Sequence, residues 1–164
     1  MIRLFVSGTL VLFFLALLLF SSGILQLLLQ LFTFAVLTLL MFVILGSLTG
    51  KSTPMITRYA LLMGAEDSAE ERAYTRKVTW FWFGFFVLLL GLKLSVLSGG
   101  LANTTGGVEL LFYLGSAVLF VGEFYLRPLF LPAHKGSSFW RFIVQLGQVS
   151  PKEIWQFDSK KERL

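Results

Sequence analysis

Of 164 residues, 56% are hydrophobic and 14% charged, and the mean hydropathy is +0.80, leaving too little polar surface for a water-soluble domain of this size. The net charge of +5 sits at the ends of apolar runs, which is the pattern of membrane orientation rather than of nucleic-acid binding. With no cysteine, disulfides, thiolate metal sites, cysteine nucleophiles and iron–sulfur ligation are excluded.

The first apolar run covers residues 4–20 after Arg3 and ends at Ser21-Ser22-Gly23. It reads as the first arm of a tight helical hairpin, because a second apolar run begins at Ile24; a secretory signal ending at Gly23 is the alternative. The second run, 24–48, carries no formal charge and is long enough to span hydrocarbon with some tilt. Thr49-Gly50-Lys51-Ser52-Thr53-Pro54 ends it with helix breakers and a cation.

Residues 49–77 are densely charged and must lie in water or among headgroups. Within them Pro54 suits a first helical position, Ile56, Tyr59, Ala60 and Met63 recur at i, i+3, i+4 and i+7, and Gly64 can close the helix. A short interfacial helix is expected there. Ser68-Ala69-Glu70-Glu71 has the form of a capping box, in which serine and glutamate satisfy each other's free backbone N–H groups. The helix it opens should run on into a third span, 78–98, approached through Arg76-Lys77 and then Trp80-Phe81-Trp82-Phe83, the order of a helix leaving headgroups for acyl chains.

Residues 99–107 read as a flexible, glycine-rich turn. A fourth span over 109–126 follows, and Arg127-Pro128 should stop it. In the tail, Phe139, Phe142, Ile143 and Leu146 share one helical face, while Ser150-Pro151-Lys152-Glu153 is a second capping box.

The expected fold is therefore all-α and integral to the membrane: a four-helix transmembrane bundle over 1–127, with short interfacial helices on the cytoplasmic side and a cytoplasmic amphipathic tail over 128–164. With four spans both termini and the 49–77 loop share one side. Of the 14 Lys and Arg residues, all but Lys93 fall there, which makes that side cytoplasmic. The expected location is a bacterial inner membrane. The sequon Asn103-Thr104-Thr105 matters only in a eukaryotic secretory membrane.

Lys93 is the basic residue inside a span, where an ionisable group costs on the order of 2.5–3.5 kcal/mol, so it is a candidate functional group. It lies roughly 7 Å from its helix end, within snorkelling reach, and Glu109 is its expected partner. Glu123 has Arg127 at i+4, with Arg58 or Arg76 as tertiary alternatives; a headgroup or proton site competes with a depth-setting ion pair. Gln26 and Gln30, one turn apart near Thr33, read as interhelical hydrogen-bonding groups or as part of a polar route.

The cluster Glu66, Asp67, Glu70 and Glu71 complements a helix N-terminus. His134, the single histidine, reads as a solvated loop residue, since one imidazole cannot make a zinc site alone. Arg58, Arg72, Arg76, Lys77, Arg127 and Arg141 form a basic rim suited to anionic lipid, to a lipid phosphate or to an acidic carrier protein. No catalytic, cofactor-binding or metal-ligating residue stands out, no cofactor is implied, and the chain does not read as an enzyme.

Pro54-Met55-Ile56-Thr57-Arg58-Tyr59-Ala60, Tyr74-Thr75-Arg76-Lys77-Val78-Thr79-Trp80 leading to Phe85-Phe86, then Gly122-Glu123, Arg127, Phe139 and Phe142 together resemble a family of small, uncharacterised bacterial inner-membrane proteins. Its members accompany ketosynthases and acyl carrier proteins in aryl polyene and xanthomonadin-type pigment pathways. The resemblance covers roughly 50–145; the first two spans match it only as apolar runs. It implies a pathway neighbourhood and no catalytic residue. The expected function is thus an accessory protein that docks lipid- or polyene-synthesis components at the cytoplasmic leaflet. Its expected partners are membrane lipids and acyl carrier or synthase proteins, and self-association is open. A small transporter or flippase subunit lined by Lys93, Glu123, Gln26 and Gln30 is the alternative.

Overall fold

The computed structural model describes residues 23–49, 52–99, 105–134 and 136–161. The first predicted span, with Arg3, lies outside them, as do Lys51, residues 100–104 of the glycine-rich turn, Lys135 and Arg163. All regular structure among the described residues is helical. Three helical stretches, Leu27–Thr49, Ala69–Leu97 and Gly107–Phe130, are long and apolar enough to cross a membrane. Only 17% of the most apolar window of each is buried within the chain. Their remaining apolar side chains need a non-aqueous surrounding, which supports a membrane location.

Helix α1, Ile24–Thr49, matches the second predicted run. Its hydroxyls turn back onto their own helix: Thr33 donates to the Leu29 carbonyl at 2.9 Å, Thr38 to Phe34 at 2.8 Å and Ser47 to Ile44 at 2.7 Å. Such bonds satisfy a hydroxyl where no water is at hand. Ser47 Oγ also accepts the backbone N–H of Met55 at 3.1 Å, tying the end of α1 to the next helix.

Helix α2, Met55–Leu62, starts one residue later than the proline rule implies, with Pro54 as N-cap. Gly64 closes it at φ 91°, with Ala65 N–H bonded to the Ala60 carbonyl at 3.0 Å, a left-handed stop that favours glycine. Its inward face differs from the expected apolar one. Thr57, Arg58 and Ala60 are buried, while Ile56, Tyr59 and Met63 are half-buried. Hydrogen bonding decides this, because Thr57 and Thr75 pair through their hydroxyls at 2.7 Å.

Helix α3, Ala69–Leu97, runs unbroken from the charged segment through the third predicted span. Ser68 caps it by accepting the Glu71 N–H at 3.1 Å. The predicted fourth span comprises α4, Thr105–Leu110, a π-turn, Leu111–Gly115, and α5, Ser116–Phe130. The expected stop at Arg127-Pro128 is not made, since Pro128 sits inside α5. Proline removes one N–H and fixes φ at a helical value, and so close to the end the helix closes over it through Leu131 N–H to the Arg127 carbonyl at 2.8 Å. The tail forms α6, Phe139–Gln148, α7, Pro151–Trp155, and α8, Phe157–Lys161. The capping box at Ser150 and Glu153 is complete.

The chain divides into two compact units. The first combines the described residues up to Met41 with Phe85–Val121, and buries Leu29, Leu37, Phe86, Leu89 and Val108 around Thr33, Lys93 and Glu109. Gly115 there lies against Phe85, where an added Cβ would meet the ring at 3.0 Å. The second combines Phe42–Gly84 with the described residues from Gly122 onward. Its interior mixes Ile44, Leu48, Ala60, Phe124, Leu131 and Ile154 with buried Thr53, Thr57, Arg58, Glu71, Thr75, Thr79 and Arg127.

Candidate ligand cavity

The second unit contains a cavity of about 690 Å³, a volume typical of small-molecule sites. One wall is the end of α2 with the turn after it, contributing Ala60, Met63 and Glu66. The start of α3 brings Ser68, Glu70 and Glu71; the end of α5 and its following turn bring Phe124, Arg127, Leu131 and His134. Helix α6 completes it with Arg141, Phe142 and Gln145. The lining is thus apolar from Phe124, Leu131, Phe142 and Met63, with charges of both signs set into it.

Glu71 is 4% exposed. Its Oε2 meets His134 Nε2 at 2.9 Å, while its Oε1 is buried without a hydrogen-bond partner. The expected reciprocal cap is therefore half made: Ser68 serves the helix, but the Glu71 carboxylate turns inward instead of back to the Ser68 N–H, which bonds the Glu66 carbonyl at 2.9 Å. The short turn Pro132–His134 holds the imidazole, with His134 N–H on the Leu131 carbonyl at 3.0 Å. A buried carboxylate oxygen without a donor is costly. The residue borders the cavity, but this oxygen is closed off from it.

Arg127 and Glu123 form the i,i+4 pair, with Nε and Nη2 of Arg127 at 2.9 and 2.8 Å from Glu123 Oε1. The guanidinium also lies 5.8 Å from the centre of the Phe142 ring, and Phe124 meets Phe139 and Phe142 at 5.1 Å each. The aromatic face expected for the tail helix is thus packed on α5, and Arg127 is buried within that packing.

The other candidates are distributed differently. Arg58 is buried and bonds three groups of its own chain: Nε to the Thr53 carbonyl at 2.7 Å, Nη1 to the Ile154 carbonyl at 3.1 Å and Nη2 to Asp158 at 2.8 Å. Asp158 also accepts the Thr53 N–H at 3.1 Å. Arg58 fastens the tail to α2 and presents little to a partner. Arg72 makes a two-pronged pair with Asp67. Arg76, Lys77 and Arg141 are exposed and belong to none of the ion pairs among the described residues.

In the first unit Lys93 pairs with Glu109, the partner expected from the sequence, and both are buried. A cavity of about 10 Å³ beside them is lined by Gln30, room for a water at most. The side chain of Gln26 lies outside the described residues. Among the described residues no group of His, Cys, Asp or Glu is placed to hold a metal ion.

Sequence reasoning missed the Glu71–His134 pair, whose members lie 63 positions apart. One signal pointed to it. Glu71, Thr75 and Thr79 recur at i, i+4 and i+8 on α3 and are all buried, and a polar stripe on a helix heading into lipid must face protein. Compared with family models, curated proteins and solved structures, the chain matches none.

Proposed function

We propose that this chain is a multi-pass accessory protein of the bacterial inner membrane, with its termini in the cytoplasm, that docks lipid- or polyene-synthesis components at the cytoplasmic leaflet. The observation that carries the reading is the mixed cavity of the second unit, with apolar and charged lining side by side, a combination suited to amphiphilic molecules. Arg76 and Lys77 are exposed further along α3, and such cations steer an acidic partner without needing a preformed pocket. Neither they nor the cavity residues form a nucleophile–base constellation of known type, which favours binding over catalysis.

The transport alternative has less to rest on, because Lys93 is held by Glu109 and is 4% exposed.

The docking reading is tested with the full chain in lipid nanodiscs and a purified, acidic acyl carrier protein as probe. Binding is expected to weaken steeply with salt and to be lost in the double variant R76A/K77A, which alters exposed residues. Equal binding by this variant and the parent refutes the reading.

A further inference from the structure

The tail helix α6 does not use its apolar face as its sequence suggests. An amphipathic helix lying free on a membrane turns that face to lipid, whereas Phe139 and Phe142 of α6 pack on Phe124 of α5 at 5.1 Å each, and Phe139 also stacks on Tyr125 at 6.1 Å. These contacts fix the level of α6. Phe124 and Tyr125 precede Phe130, the last residue of a stretch long and apolar enough to cross a membrane, by roughly 7–9 Å along the helix axis. Helix α6 is thus fastened to the span inside its end, not beyond it.

At that level the outward surface of the two helices is apolar. On α5, Tyr125, Leu126, Leu129 and Phe130 are exposed, Leu129 to 74%, and on α6 Trp140, next to Phe139, is 61% exposed. The stack of Tyr125 on Phe139 joins the two parts. Apolar surface on this scale calls for a non-aqueous neighbour, and α5 supplies one: the lipid around the span follows it to Phe130 and so reaches the helix fastened there. Tyrosine and tryptophan favour the boundary between headgroups and acyl chains, because each has an apolar ring and a polar group that keeps to water. The single charge of α6 is Arg141, exposed beside Trp140, and a cation in that place meets lipid phosphates.

We infer that α6 is a membrane-surface helix, seated in the headgroup boundary of the leaflet at this end of the span, with Trp140 and the α5 residues Tyr125, Leu129 and Phe130 as one composite lipid contact. Its partner is the lipid surface itself. The inference goes beyond the docking reading: it uses neither the cavity nor Arg76 and Lys77, and it stands on the membrane location alone.

The chain has no cysteine, so W140C, L129C and K152C each give a protein with one site for a nitroxide label. In lipid nanodiscs the labels at positions 140 and 129 are expected to relax faster with dissolved oxygen than with a water-soluble nickel chelate. Lys152, exposed beside Glu153 on α7, provides the aqueous reference. Phe139 and Phe142 hold α6 in place, so the label at position 140 reports the depth set by the fold. Where W140C does not fold, W80F/W82F/W155F leaves Trp140 as the sole tryptophan of the four; its emission should fall sharply in bromine-labelled phosphatidylcholine and resist aqueous iodide. A label at position 140 that responds to nickel as the one at position 152 does, or a Trp140 emission indifferent to bromine, overturns the inference. Labels at position 140 shielded from both reagents and broadened by one another identify a second copy of the chain as the occupant, and overturn it as well.

Discussion

Replacing Lys93 by leucine removes one member of a pair that is buried on both sides, with side chains 5% and 3% exposed. Glu109 would then be left with neither oxygen bonded, since its Oε2 already has no partner. Breaking a buried ion pair from one side costs about 3–5 kcal/mol, and stranding an ionisable group in a membrane helix costs about 2.5–3.5 kcal/mol. The two routes agree on roughly 3 kcal/mol for K93L, and E109L should cost about the same for the converse reason. The double variant K93L/E109L strands nothing and should unfold within about 1 kcal/mol of the parent or be more stable. The assay is equilibrium unfolding in mixed micelles as the fraction of denaturing detergent rises, followed by far-ultraviolet circular dichroism. The four tryptophans belong to the second unit and would report on the wrong region. A cost below about 1 kcal/mol for K93L, or a double variant as unstable as the two single changes added together, refutes the reasoning.

Arg58→Lys should fare little better than Arg58→Ala, because one ammonium cannot span the Thr53 carbonyl, the Ile154 carbonyl and Asp158 as a planar guanidinium does. Both variants are expected to lose about 3–5 kcal/mol and to show faster hydrogen exchange over Pro151–Trp155 and Phe157–Lys161. Gly115→Ala brings a Cβ to 3.0 Å from the Phe85 ring and should cost about 1–3 kcal/mol by overpacking; in the same micelle titration, Phe85→Leu combined with it should recover most of that loss. A tag after Leu164 should be reached by a membrane-impermeant reagent only once the cells are opened, and labelling of intact cells would reverse the proposed topology.

The long helices were legible because their signal is redundant. Every residue of 24–48 is uncharged, so no single misreading displaces α1, and the serine ahead of Glu70-Glu71 fixes the start of α3 wherever the membrane begins. Boundaries set by one residue were less secure. Pro128 is a breaker in the middle of a helix but tolerable within its last turn, where the chain closes through Leu131 N–H to the Arg127 carbonyl. The buried face of α2 was misread for a related reason. Periodicity counts apolar residues, while this face is decided by pairings to Thr75, Ile154 and Asp158, which lie far along the chain. The Glu71–His134 contact was hidden because a glutamate at the third position of a helix already has an adequate local explanation.

That ambiguity also separates scaffold from site. Buried polar groups of the second unit are for the most part matched within the chain: Thr57 with Thr75, Arg58 with the tail, Arg127 with Glu123, and Thr79 with the Thr75 carbonyl. Each match removes a group from the set that can bind something else, and each would be expensive to break. Glu71 is the exception in that unit, since one of its oxygens is buried and unmatched. Had the carboxylate remained in its local cap, both oxygens would face the helix end and His134 would lose its partner. The start of α3 is therefore held to the Pro132–His134 turn by one side chain forgoing its local bond, and E71Q should loosen that turn without unfolding the helix that Ser68 caps.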